Sequence, residues 1–162
     1  MPYLPELETP LEQIAIRLAL AAVFGAVIGL DREIKNRPAG LRTHMLTALA
    51  AALFTVLTFE LHHAFVTRFP NANADPLRVI EAITAGVAFL AAGAIFVSRG
   101  NVQGITTGAG MWLAGAIGLA CGAGYYTVAA VSLAIAMVIL TVLSPIERWL
   151  APERRKDVPP KD

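Results

Sequence analysis

The stretch GAVIGLDREIKNRPAGLRT, residues 25–43, decides the fold because it sets charge and turn residues between two long apolar segments. A similar interruption, GAIFVSRGNVQGITT, follows at residues 93–107. We refer to these stretches as the first and second polar segments. Apolar segments of bilayer length, separated by short polar breaks, are typical of a multi-pass membrane protein.

The composition agrees with a membrane protein. Hydrophobic residues make up 56% of the chain and charged residues 15%, with a mean hydropathy of +0.62. Soluble domains carry about a quarter charged residues, and the helices of a soluble bundle would show a charged face that is missing here. The net charge of +1 and the lack of basic runs with interleaved aromatic residues argue against nucleic acid as a partner. The lipid bilayer is therefore the expected surrounding.

Five segments reach the length of about 20 residues that crosses a bilayer. We predict an all-α polytopic membrane protein with five transmembrane helices. The predicted spans are residues 11–30, 44–65, 77–97, 105–121 and 125–143. Gly122-Ala123-Gly124 leaves room only for a tight turn between the last two spans.

The distribution of Lys and Arg predicts the orientation, because basic residues accumulate in cytoplasmic loops. Ten of the 13 basic residues fall after span one, after span three or in the C-terminal tail. The opposite side has Arg68 and Arg78 beside an acidic N-terminus. We expect an external N-terminal segment at residues 1–10, a membrane domain at 11–145 and a short charged cytoplasmic tail at 146–162. The acidic N-terminus also predicts no cleavable signal peptide.

The two polar segments resemble each other. GAVI at 25–28 and GLRT at 40–43 match GAIF at 93–96 and GITT at 104–107. One interpretation is an internal duplication into parallel repeats. The other is convergence, since these residues are common in any membrane helix. A duplication predicts that the two segments lie close together.

Glycines recur at helical spacing and predict close helix packing, since lipid supplies little drive for helix association. The same seams leave a homo-oligomer open as an alternative. The predicted packing glycines are Gly25, Gly29, Gly93, Gly104, Gly108, Gly115, Gly118 and Gly122.

Two charges fall inside the predicted spans, Arg17 in the first and Glu81 in the third. A lone charge in a membrane costs a few kcal/mol on insertion scales, so each is expected to find a partner. We predict that they pair with each other. The pair would be structural, and a proton or ion relay is the alternative.

A denser group of polar residues is predicted on the cytoplasmic side. Helix N-termini there favour anions, and Asp31 and Glu33 could supply oxygens to Mg²⁺. Solvated loop charge is the alternative for part of the group, and no resident cofactor is expected. HExxH, GxSxG and Walker motifs are missing, so no catalytic residue is predicted. The predicted cluster is Asp31, Arg32, Glu33, Arg37, Arg42, Thr43, Arg99, Thr106 and Thr107.

Several ordered blocks resemble the MgtC/SapB family of bacterial inner-membrane proteins. They are GAVIGLDRE at 25–33, RPAGLRT at 37–43, DPLR at 75–78, GVAFLAAGAI at 86–95 and VQGITTGAGMW at 102–112. The resemblance extends over nearly all of residues 12–143. Val87 and Ala91 depart from it, because the family commonly has Ile and Gly at those positions.

The resemblance implies a five-span core in the inner membrane with the N-terminus outside. It also implies a role in adaptation to low magnesium and, in pathogens, in virulence. For well-known members, inhibition of the F-type ATP synthase is proposed and direct Mg²⁺ transport is doubted. Many members have a soluble domain after the spans, whereas this sequence stops at Asp162.

We therefore expect a non-enzymatic membrane regulator that acts through helix contacts with another membrane protein. The alternative is a small ion transporter or channel for Mg²⁺ or another ion, with Arg17, Glu81 and the acidic pair along its path.

Overall fold

The computed structural model describes residues 7–69, 75–98 and 101–150, with side chains described as far as residue 143. Within these ranges the chain is mainly helical, as predicted. The elements are α1 (Leu11–Ile34), α2 (Leu41–Arg68), α3 (Leu77–Gly93), β1 (Phe96–Ser98), β2 (Asn101–Gln103), α4 (Ile105–Gly122) and α5 (Tyr126–Leu150). Residues 1–6 of the predicted external segment and 151–162 of the predicted tail lie outside the described residues.

Four helices, α1, α2, α4 and α5, are long and apolar enough to cross a membrane. The third predicted span differs, because α3 ends at Gly93 after 17 residues rather than at residue 97. At a rise of 1.5 Å per residue it is about 26 Å long, short of the roughly 30 Å hydrocarbon core. A fifth crossing and the orientation stay predictions.

The second polar segment begins with a short hairpin instead of continuing α3. Strands β1 and β2 pair antiparallel, with Phe96 opposite Gln103 and Val97 opposite Val102. Residues 96 and 97 are apolar, so hydropathy alone assigned them to the preceding helix. Their pairing with residues 101–103 is what ends α3.

The turn between α4 and α5 is as tight as the sequence predicts. Gly124 adopts φ +83°, a left-handed conformation that glycine reaches without steric cost. The Tyr125 N–H then donates to the Ala120 carbonyl at 2.8 Å, which closes the end of α4. Helix α5 leaves this turn antiparallel to α4 and runs to Leu150, beyond the predicted end at residue 143.

The core is built where α1 and α4 press against α2 through glycine. A methyl group on Gly25 would lie 2.6 Å from the His44 carbonyl oxygen, and one on Gly122 would lie 2.6 Å from that of Ala52. A methyl group on Gly118 would collide with the Ala48 carbonyl. These contacts make α1 antiparallel to α2 and α4 parallel to it. Any side chain at these glycines would push the helices apart.

Of the other predicted packing glycines, Gly29 adjoins α2, while Gly108 and Gly115 adjoin α3 and Gly104 adjoins the turn after α3. The exception is Gly93, because no atom of the described residues lies within 4 Å of a methyl group added there. The expectation of close packing is corrected there, because α3 ends at this residue and its exposed side faces no other helix.

Helix α3 lies at the edge of the described bundle, as α5 also does. It buries a single stripe, Ile83, Val87 and Ala91, against its neighbours. An apolar cavity of about 350 Å³ separates it from α2, lined in part by Phe54 and Leu90. The rest of its surface is uncovered in the described structure, so α3 is held on one side only.

The pairing predicted between Arg17 and Glu81 does not form. The Arg17 guanidinium donates to the Gly122 carbonyl oxygen at 3.0 Å, at the C-terminal end of α4. Glu81 is exposed on α3, and its carboxylate makes no ion pair or hydrogen bond among the described residues. The reason is that a helix C-terminus has free carbonyls and negative dipole character, which serve a cation as well as a carboxylate would.

We expect Gly118→Ala to destabilise the bundle, because its methyl group would collide with the Ala48 carbonyl. Overpacking of this kind costs about 1–3 kcal/mol. Thermal unfolding of the purified protein in one detergent measures the effect. Gly86→Ala is the matched control, since nothing lies within 4 Å of a methyl group at that helical position. Equal losses in the two variants would contradict the packing described.

Removing Arg17 and removing the charge of Glu81 should have unequal effects. Arg17→Met deletes the donor to the Gly122 carbonyl and should lower the melting temperature. Glu81→Gln removes no contact within the described structure and should leave the melting temperature unchanged in detergent. If both variants instead lose melting temperature, and the double variant loses less than the sum of the two, the ion pair predicted from the sequence would be supported.

Candidate functional site

The end of α1 directs three consecutive charged residues towards three different elements. Successive helical residues project about 100° apart, so Asp31, Arg32 and Glu33 cannot share one face. Glu33 points to the start of α2, where its Oε2 accepts a hydrogen bond from the Leu41 N–H at 3.0 Å. A methyl group on Gly40 would collide with this carboxylate, so the Glu33 side chain would have to move away from the start of α2. Glu33 therefore caps α2.

Asp31 is engaged on the other side of α1. Its carboxylate forms an ion pair with Lys35 one turn later, at 2.8 Å. The Lys35 ammonium also donates to the Leu140 carbonyl of α5 at 2.9 Å. Partly exposed pairs of this kind contribute little to stability, about 0–1 kcal/mol. Their role is to join the C-terminal end of α1 to the middle of α5.

Arg32 points into the bundle between Asp31 and Glu33. It is only 5% exposed, and its guanidinium donates to the Thr107 hydroxyl in the first turn of α4. Its Nε is fully buried and has no hydrogen-bond partner. No carboxylate of the described side chains lies within ion-pair distance, because Asp31 is held by Lys35. The hydrogen-bond partner of this buried charge is thus a neutral hydroxyl.

His44 is a site residue that the sequence analysis missed. It is 0% exposed, and its Nδ1 lies 3.0 Å from the Gly40 carbonyl oxygen, one turn earlier in α2. Its Nε2 has no partner and faces α4, where a methyl group on Gly110 would lie 3.2 Å away. An ionisable residue at the very start of an apolar span was the available signal. By itself, such a residue indicates only the boundary of the span.

The remaining predicted residues do not converge on this point. Arg37, Arg42 and Thr106 are exposed, while the Thr43 carbonyl accepts the Thr47 hydroxyl within α2 at 2.8 Å. Arg99 lies outside the described residues.

The two acidic residues are not directed towards a common point, and magnesium binding stays a prediction. Asp31 and Glu33 project about 200° apart, and each is engaged with a different element. Over residues 7–69, 75–98 and 101–143, whose side chains are described, no group of three or more His, Cys, Asp or Glu side chains converges. The two carboxylates were expected to bind one ion together, but the helix directs them to different sides.

The structure instead places Arg32 in contact with Thr107 and close enough to His44 for an electrostatic interaction. We call these three residues the buried polar cluster. They come from α1, α2 and α4, the three helices packed through glycine. Arg32 belongs to the first polar segment and Thr107 to the second, so these segments meet as an internal duplication would require. The N-termini of α2 and α4 both lie at this end of the bundle. The duplication itself stays a prediction.

Comparisons with known proteins agree with the resemblance seen in the sequence. SapB of Bacillus subtilis (strain 168) is 35% identical over 145 residues, which cover 89% of this chain and 62% of that protein. MgtC of Brucella abortus (strain 2308) is 36% identical over 141 residues, 87% of this chain and 56% of that protein. YhiD of Escherichia coli (strain K12), named as a candidate magnesium transporter, is 35% identical over 130 residues, 80% of this chain and 60% of that protein. No solved structure matches the chain.

The chain thus spans less than two thirds of the length of these curated relatives. A model of the MgtC family matches residues 18–149, from within α1 to the end of α5. On that match, the chain belongs to the MgtC family.

Proposed function

We propose that this protein is a non-enzymatic regulator in the bacterial inner membrane, linked to adaptation to low magnesium. It acts by helix contact with another membrane complex, such as the F-type ATP synthase. The membrane helices and the family membership support the setting. The observation that carries the mechanism is the uncovered face of α3.

That face combines small residues with an unpartnered charge. Glu81, Ala85, Ala88 and Ala92 follow one another at helical spacing, and all are exposed. Small residues allow another helix to approach closely. A carboxylate facing lipid is costly, so a partner helix that donates a hydrogen bond or a positive charge would stabilise the contact. The face is therefore suited to a membrane protein and unsuited to lipid.

The core of the bundle offers no comparable path for an ion. Between Arg32 and Arg17, about 22 Å apart along α1 at 1.5 Å per residue, α1 and α4 lie directly on the carbonyls of α2. The buried hydroxyls of Thr47 and Thr55 donate back to carbonyls of their own helix, at 2.8 and 2.7 Å. Polar atoms thus gather at the two ends of the described bundle. This arrangement favours the regulator over a channel within one subunit.

Site-specific crosslinking tests the proposed contact. A photoreactive residue at Ala85, which is exposed, should capture a subunit of the ATP synthase in bacterial membranes. The same residue at Val87, which is buried against neighbouring helices, should not. Adducts with a second copy of this chain alone would replace the proposed partner with a homo-oligomer. An absence of adducts at Ala85 in folded protein would contradict a helix contact through α3.

The second candidate, a magnesium transporter, is favoured by the name of the relative YhiD. Magnesium flux into dye-loaded proteoliposomes distinguishes the two functions. We expect no saturable flux, because the described core is closed by helix contacts. Saturable flux that is lost in Asp31→Asn would establish transport and place Asp31 on the path. Lys35→Gln is the control, since it breaks the same ion pair without removing the carboxylate.

A further inference from the structure

We propose that the buried polar cluster is a binding site for a phosphate group, with Arg32 as its charge partner. The site is separate from the uncovered face of α3, and the inference is independent of the partner proposed above. It begins from an imbalance of charge. A guanidinium that is 5% exposed keeps its full charge, yet its hydrogen-bond partner is a hydroxyl and no carboxylate of the described side chains lies within ion-pair distance. Asp31 attracts the guanidinium from beyond that distance, but the repulsion by Arg37 is the larger of the two effects.

Water could satisfy the hydrogen-bonding groups but would place no negative charge beside the guanidinium. The buried Nε of Arg32 and the Nε2 of His44 both lack partners. Burial of an ion is strongly unfavourable unless an opposite charge and hydrogen bonds accompany it. An anion supplies both, which is why the cluster points to a charged ligand.

The first turn of α4 adds donors of the same kind. The helix begins after Gly104 with no side-chain cap, and the first N–H bonded within it is that of Gly108, to the Gly104 carbonyl at 2.8 Å. The earlier N–H groups have no acceptor inside the helix, and the positive end of its dipole favours an anion. Thr107 belongs to this turn and is the residue that Arg32 contacts. Guanidinium, hydroxyl and helix N-terminus together form the usual donor set for phosphate.

His44 adds a hydrogen-bond acceptor that also suits phosphate. Its Nδ1 must donate to the Gly40 carbonyl, so the Nε2 of a neutral imidazole is an acceptor. Inorganic phosphate at neutral pH carries P–O⁻ groups for Arg32 and a P–O–H group for this nitrogen. A phospholipid phosphodiester carries only the former. His44 therefore distinguishes the two sources of phosphate.

The level of the cluster in the bundle admits both sources. Arg32, His44 and Thr107 each lie within about one turn of a helix end. Helix ends of membrane proteins lie near the headgroup region. A free phosphate could enter from water, and a lipid phosphate could enter from the side.

The experiment uses the purified full chain in neutral, lipid-free detergent. One arm measures the melting temperature against inorganic phosphate, with chloride at equal ionic strength as reference. The other arm uses native mass spectrometry to compare phosphatidylglycerol with diacylglycerol of the same acyl chains. The variants are Arg32→Gln, His44→Phe and the control Arg68→Gln, which removes an exposed charge at the far end of α2.

A saturable rise in melting temperature with phosphate, kept in Arg68→Gln and lost in Arg32→Gln, supports the site with free phosphate as ligand. His44→Phe should then weaken binding at least several-fold. Selective retention of phosphatidylglycerol, lost in Arg32→Gln and kept in His44→Phe, supports the site with a lipid headgroup as ligand. No selective binding in either arm, or binding unchanged by Arg32→Gln, overturns the proposal. If Arg32→Gln does not fold, Thr107→Val takes its place, and unchanged binding in that variant also overturns it.

Discussion

The fold depends on the contact of glycine backbones with a row of carbonyls on α2. The carbonyls of His44, Ala48 and Ala52, four residues apart, receive Gly25, Gly118 and Gly122. Lipid is as apolar as a leucine side chain, so burial alone cannot drive these helices together. Close approach replaces that drive with dispersion and with weak Cα–H···O contacts, about 0.5–1 kcal/mol each. Helix α2 is thus the central element. The positions of the glycines in α1 and α4 determine where these helices pack against it.

This packing has a consequence for the polar ends of the bundle. Because α2 and α4 run parallel and in contact, their N-termini lie at the same end, beside the C-terminal end of α1. The last turn of α1 must therefore meet two helix starts. Glu33 satisfies one of them by capping α2, whereas Arg32 enters the other at Thr107. The three consecutive charges therefore have three different partners: Asp31 pairs with Lys35, Arg32 donates to Thr107, and Glu33 accepts from the Leu41 N–H.

Local patterns in the sequence were enough to predict the helical membrane class, four long spans, the tight turn before α5 and the spacing of most packing glycines. Features that depend on distant partners were not predictable in this way. Phe96 and Val97 fit an apolar helix as well as a strand, and only pairing with residues 101–103 decides between them. The sequence predicts a carboxylate partner for Arg17, but its acceptor is a backbone carbonyl. Every residue has such a carbonyl, so the sequence cannot indicate which one is used. His44 likewise bonds to a backbone oxygen, so its sequence neighbours do not mark it.

The two arginines that reach α4 make an internal comparison. Arg17 lies at the C-terminal end of α4, where the helix dipole is negative and a free carbonyl accepts its guanidinium. Arg32 lies between the C-terminal end of its own helix α1, whose dipole favours a cation, and the N-terminal end of α4, whose dipole opposes one by about 0.3–1 kcal/mol. The acceptor of Arg17 is thus a backbone carbonyl at a negative helix end, whereas the described side chains offer the buried guanidinium of Arg32 a hydroxyl and no carboxylate within ion-pair distance. A negatively charged group in the buried polar cluster would supply the charge that Arg32 lacks.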